Sequence, residues 1–264
     1  MTLNNQWPEV EGVSVFVRRR LFVIVPVLLC CFVFGVGAVD RWEEIVLEPG
    51  ESVWASSELE ETVGGVRVRY TAENVFDGKR STCWVEAAEG SGEGESLTFV
   101  VNRPVARIGM RNGFAKNGTL FRINNRVRGV GVSLIAAFTA PGLVTELDYS
   151  LYFGAVWKAR RPIYVEDTPL LQYFDFPFSG QEQDRFLRTS LESFIEDHPP
   201  FAGSMAKELG YGGVPGKDED AYESFLSDTL AAYSLLCVRL EIEQVYRGSR
   251  YDDTCIAELD VEFE

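Results

Sequence analysis

The chain has 264 residues, with 25 Lys and Arg against 40 Asp and Glu and a formal net charge of −15. That length suits one or two domains, and the acidity argues against phosphate backbones and anionic lipid surfaces as electrostatic partners. The single histidine, His198, stands before Pro199-Pro200 and reads as a helix-end residue. A single histidine argues against a Ser-His-Asp triad, a Cys-His dyad or a two-His metal site.

The N-terminal segment, residues 1–39, is unlike the rest. A polar stretch ends in Arg18-Arg19-Arg20, Leu21 to Val39 is apolar apart from its glycines and Pro26, and Asp40 ends the run. This is a basic region followed by an apolar region, with Val36-Gly37-Ala38 as a small-residue cleavage site. The apolar run also meets the length of a membrane span, roughly 17–25 residues. A cleaved signal peptide and an uncleaved transmembrane helix that contacts the membrane are both open. Leu28-Leu29 before Cys30-Cys31 are not the small residues of a lipoprotein signal. On either reading residues 40–264 are exported.

Beyond this segment the dominant period is two. Val66, Val68 and Tyr70 alternate with Arg67 and Arg69, and Leu97, Phe99 and Val101 form the next set. Val130, Val132 and Leu134 follow, then Leu147, Tyr149, Leu151 and Phe153. Val238, Leu240 and Ile242, and finally Leu259, Val261 and Phe263, complete the pattern. Short alternating runs broken by Gly, Asn and Asp turns predict an all-β sandwich or barrel of antiparallel strands.

Residues 180–234 break the pattern. Leu187, Leu191 and Phe194 lie at helical spacing, with Phe186 and Ile195 beside them and Pro199-Pro200 as a stop. After the Gly/Pro-rich connection 210–216, Asp218 reads as the N-cap of a second helix carrying Tyr222, Phe225, Leu226, Leu230 and Tyr233. The expectation is an acidic α-helical hairpin inserted in the β domain, its aromatic stripes packed on the sheet or docking a basic partner.

Three cysteines follow the export segment: Cys83, Cys237 and Cys255. None belongs to a CxxC pair, so zinc is not suggested, and an oxidising compartment permits one disulfide.

One ordered series of motifs is more particular. It begins with Asn74-Val75-Phe76-Asp77-Gly78 and Ser81-Thr82-Cys83-Trp84-Val85-Glu86. Gly90 to Glu95, Asn112-Gly113-Phe114-Ala115-Lys116, Asn124-Asn125-Arg126 and Tyr246 to Glu258 come after it. In this order they resemble the discoidin-like, coagulation-factor type C-like jelly-roll domain of bacterial NAD glycohydrolase translocation proteins. The resemblance covers roughly residues 52–135 and 147–263, leaving the helical insert outside and placing Ala257 where the family usually has Ser. It implies a single jelly-roll β-sandwich over residues 40–264, no catalysis, and glycan or surface binding in the cell envelope.

The resemblance also implies a structural cation, with Asp77, Thr82 and Glu258 as ligands. Calcium suits that set, since it accepts six to eight oxygens in loose geometry. If Thr82 and Glu258 share an ion, Cys83 and Cys255 come from adjacent segments, which admits a Cys83–Cys255 disulfide beside the plainer reading of two small buried hydrophobes.

For ligand binding the candidates are loop residues: Trp84, Phe114, Tyr246 and Tyr251 as ring platforms, with Glu86, Asn112, Arg126, Asp252 and Asp253 as polar partners. The structural alternatives stand beside them: Trp84 as core, Asp252-Asp253 as turn residues and Arg126 as an internal ion pair. The Gly90 to Glu95 run lacks the Lys and helix of a phosphate loop and carries two acids. No carboxylate pair has a recognisable acid/base context, so the chain reads as a non-enzyme whose partner is a glycan or an envelope protein.

Overall fold

The computed structural model describes residues 16–19, 42–217 and 220–264. The export readings fall on residues 1–39, of which only the backbone of β1 (Phe16–Arg19) is described; it pairs antiparallel with β4 (Ser57–Val63). Among the described residues no helix is long and apolar enough to cross a membrane. The rest of the export segment lies outside the described residues.

Two layers of strands enclose the main core. In the first, β3 (Val53–Ala55), β7 (Ser96–Val101), β13 (Ser234–Tyr246) and β9 (Asn125–Phe138) are neighbours in that order. The far edge of β9 is shared by β11 (Arg161–Tyr164) and β10 (Ser150–Val156), and β10 pairs in turn with β2 (Glu43–Leu47). In the second layer β12 (Leu171–Asp175), β8 (Val105–Asn112), β14 (Thr254–Phe263) and β6 (Trp84–Val85) lie side by side. The layers are joined at one corner, where β14 starts parallel to β9 with Thr254 opposite Asn125 and Cys255 opposite Arg126.

The alternating runs build this core. Leu97, Phe99, Val101, Val130, Val132, Leu134, Val238, Leu240 and Ile242 face Ile108, Met110, Ile256 and Leu259 in one buried cluster. Each such side chain contributes about 1.5–3 kcal/mol, so period two here marks a real inner face. It fails in two places. Leu147 is 72% exposed beside Asp148, whose φ of 59° makes a turn, and β10 begins only at Ser150. Val66 of β5 (Val66–Tyr70) is 64% exposed, because the β4–β5 hairpin carries its outer end into solvent.

The expected helical hairpin is instead three helices: α2 (Gly180–Asp197), α3 (Pro199–Glu208) and α4 (Ala221–Tyr233). Pro199 and Pro200 stop α2 but also occupy the first turn of α3, where a missing N–H costs nothing. His198 ends one helix and opens the next, ringed by Trp42, Phe153, Phe194 and Phe201. The anticipated cap Asp218 lies outside the described residues, and α4 starts after Asp220.

The stripes of these helices are buried. Leu191, Phe194, Tyr222, Phe225 and Leu226 pack with Ala136 and Phe138, which continue the inner face of β9 beyond the core between the two layers. The insert is also pinned to the sandwich. A capping box formed by Ser179 and Glu182 starts α2. Buried Gln183 accepts from the Val105 N–H and donates to the Val105 and Phe178 carbonyls, at 2.9 Å each.

Candidate ligand-binding loop end

Strand ends gather at the corner where the layers join: β8 stops at Asn112, β9 begins at Asn125, β13 stops at Tyr246 and β14 begins at Thr254. Between β8 and β9 lies a short helix, α1 (Gly118–Ile123), capped by Asn117, whose side chain accepts from the Thr119 and Leu120 N–H groups. Three amides and a guanidinium lock these segments together. Asn112 Nδ2 donates to the Val127 carbonyl at 2.6 Å and its Oδ1 accepts from the Val127 N–H at 2.8 Å. Asn125 donates to the Asp252 carbonyl and accepts from the Gly248 N–H, both at 2.6 Å. Asn124 Nδ2 closes the helix end on the Leu120 carbonyl.

Arg126 is the hub. Its Nε and Nη2 form a two-pronged ion pair with Asp167 at 2.8 and 2.9 Å, and its Nη1 donates to the Asn124 carbonyl at 2.9 Å. The Phe121 and Arg247 carbonyls lie within reach of the same nitrogen, and the guanidinium covers the Phe121 ring. Gly113, at φ 67°, leaves room for it: a Cβ there would come within 2.6 Å of Arg126 Cγ.

Four of the expected ligand groups are therefore corrected to internal roles. Trp84 is fully buried in the core, with Nε1 donating to the Ser57 carbonyl at 2.9 Å, so it offers no ring face to a sugar. Asn112 is fully buried and its side-chain amide is satisfied by Val127. Arg126, 7% exposed, is committed to Asp167 and to carbonyls. Glu86 is fully buried, accepting from the Ala88 N–H at 2.7 Å and the Thr254 N–H at 3.0 Å. Burial pushes the Glu86 carboxyl up to about 7, against the opposing pull of those two N–H groups. Sequence supplied each residue type, but polarity alone does not separate a ligand contact from an internal staple.

The residues present do not fit the implied cation as they stand. Asp77 and Thr82 do meet, but the Thr82 hydroxyl donates to the Asp77 carboxylate at 2.8 Å and the Lys79 N–H donates to it at 2.8 Å. Lys79 also brings its ammonium within 3.6 Å. Glu258 turns to Arg111, 2.7 Å away. The charge a cation would need is already answered by Lys79 and Arg111. Among the described residues no group of three or more His, Cys, Asp or Glu could hold a metal ion.

Cys83 and Cys255 lie in one buried cluster as free thiols, and the neighbouring Cys83 together with burial raises the Cys255 thiol well above its usual range. Cys237 is buried in a separate cluster with Ile135 and Ala137.

What remains on the surface is smaller and more defined. Tyr251 is 40% exposed and Asp252 is exposed; Phe114, Tyr246 and Asp253 are half-buried. Phe114 meets Tyr70 edge to face at 6.0 Å, and the Tyr246 hydroxyl donates to the Val165 carbonyl at 3.1 Å. Asp167, Arg122 and Arg250 were not singled out from the sequence. Asp167 is separated from Arg126 by the rest of β9 and the whole of β10 and β11, so no local spacing could have paired them.

In comparisons with known proteins, residues 48–145 match the NAD glycohydrolase translocation F5/8 type C domain family. The match runs from the turn before β3 past the end of β9 and takes in Asp77, Trp84, Glu86, Asn112 and Arg126. No curated protein matches the chain. Discoidin-like domains of this type are generally binding modules. The match over residues 48–145 supports the resemblance to the NAD glycohydrolase translocation F5/8 type C domain family.

Proposed function

We propose that the protein is an exported, non-catalytic binding module of the bacterial envelope that recognises a glycan through the loop end around Tyr251. The observation that carries this reading is the clamp beneath that loop. Asn125 holds both Gly248 and Asp252 by side-chain hydrogen bonds, and Arg126 reaches the Arg247 carbonyl. A loop fixed in advance loses little entropy on binding, and it presents an exposed ring with polar neighbours. Tyr251 would stack on a sugar face, Asp252 and Asp253 would bond its hydroxyls, and Phe114 and Tyr246 would flank the contact.

The acidic insert as a docking element for an envelope protein is the weaker reading, because its aromatic stripes are buried against β9. The direct test is binding of the purified full chain, kept in a detergent without sugar groups, to an immobilised glycan panel. Tyr251→Ala is expected to weaken a selective signal at least about tenfold. An unchanged signal in that variant would move the contact elsewhere.

A further inference from the structure

Arginines crowd this same loop end of an otherwise strongly acidic protein. Arg122 on α1, Arg128 on β9, and Arg247 and Arg250 in the β13–β14 connection are all exposed. The backbone brings three of them onto adjacent segments. The Ser249 N–H donates to the Arg122 carbonyl at 3.0 Å, and the Arg250 and Tyr251 N–H groups donate to the Ile123 carbonyl at 3.1 and 2.9 Å. Gly248 permits the approach, since a Cβ there would fall 2.4 Å from the Ile123 carbonyl oxygen.

Their charges are poorly answered within the protein. Arg247 has Asp252 at 3.6 Å, with both side chains largely exposed. Arg122, Arg128 and Arg250 have no carboxylate partner among the described residues. Arg250 instead lies over the Tyr251 ring, 5.0 Å from its centre, and Arg128 approaches the Tyr246 ring at 5.9 Å. Elsewhere Arg107 pairs with Glu262, Arg160 with Glu241 and Arg188 with Glu223, while Arg80, Arg103 and Arg185 are exposed with no acid in ion-pair range among the described residues. Those three stand on separate segments, whereas the loop end gathers Arg122, Arg247 and Arg250 on hydrogen-bonded segments beside an exposed ring.

We infer that this site takes an acidic glycan, a sugar chain bearing carboxylate or sulfate groups, with Arg122, Arg247 and Arg250 meeting the oxyanions beside the Tyr251 platform. This rests on the glycan reading above and narrows it. Guanidinium groups suit planar and tetrahedral oxyanions because they offer a fork of donors. The protein's overall negative field is screened within about 8 Å at physiological salt, so the local arginines govern a ligand already at the surface.

The test uses the full chain in the same detergent against oligogalacturonate, sialylated and sulfated oligosaccharides, each beside its uncharged counterpart, methyl-esterified or desulfated. Arg122→Gln and Arg250→Gln are measured in parallel, with thermal unfolding as the control for fold. The inference expects an acidic probe to bind, its uncharged form to bind at least about tenfold more weakly, and each variant to lose about tenfold. Affinity should also fall with added salt. Equal binding of charged and uncharged forms, or variants that bind like wild type, would overturn the acidic preference while leaving glycan recognition standing. A panel in which neither acidic nor neutral sugars bind the folded protein would remove both.

Discussion

Arg126 directs its donors inward, and that choice separates the staples of this corner from its surface. Arg126→Ala leaves Asp167 and several carbonyls without their donor, so it is expected to cost about 3 kcal/mol, measured by urea unfolding, even though the pair is partly exposed. Glu86 sets a pH dependence with a definite sign. Its folded carboxyl titrates at about 7, above the ordinary 4.5. The stability it contributes is therefore fully present below pH 4.5 and lost as pH rises through 7. His198 works the other way: burial lowers it, so the fold loses stability as pH falls through 6.5. The Glu86 effect is isolated by comparing Tm across pH 5 to 8 in wild type and Glu86→Gln, where the falling limb should flatten. At the cysteines, oxidation by a disulfide donor is expected to close Cys83 to Cys255, releasing two thiols from the donor and lowering the intact mass by two hydrogens. The bond should stabilise by about 2–4 kcal/mol, and peptide mapping that finds Cys83 and Cys255 still free after such treatment would refute it.

At the scale of elements, the insert belongs to the core rather than to an appended arm. Phe194 and Phe225 are fully buried against Ala136 and Phe138, so Phe194→Ala or Phe225→Ala should cost about 3–5 kcal/mol in chemical denaturation. Deleting residues 181–233 would uncover Ala136 and Phe138 at the far end of β9's inner face, and an unfolded or aggregated product is expected rather than a trimmed binding module. The sequence made the strands of the sandwich legible because Leu97, Val132 and Leu240 sit on a face buried by a second layer, which forces strict alternation. It misled at Leu147, where a turn at Asp148 takes over the pattern, and at Pro199-Pro200, which serve as a start as well as a stop. The helical stripe of α2 and α4 was readable, but the third helix between them was not. Phe201, Met205 and Leu209 do lie at helical spacing, but Pro199-Pro200 ahead of them reads as a stop and hides the start of that helix.

For the whole molecule, the residue types of the candidate site were legible and their roles were not. Trp84, Asn112 and Arg126 are recognisable in the sequence, yet only their burial shows that they hold the loop end instead of lining it. Arg122 and Arg250 escaped notice because they come from segments far apart in the chain, and only the closure of the sandwich makes them neighbours. Asp77 and Glu258 are each met by a basic partner, Lys79 and Arg111, which weighs against the cation that the resemblance implies. Calcium is accordingly expected to shift Tm by less than about 1 °C, and a rise of several degrees reversed by chelator would restore the cation. The central claim is that a rigid loop end around Tyr251 binds a glycan. The most direct measurement is the glycan panel with full-length wild type and Tyr251→Ala side by side, both verified as folded. A selective signal that Tyr251→Ala weakens at least about tenfold is the predicted result. A blank panel from folded wild type, or an equal signal from the variant, would contradict it.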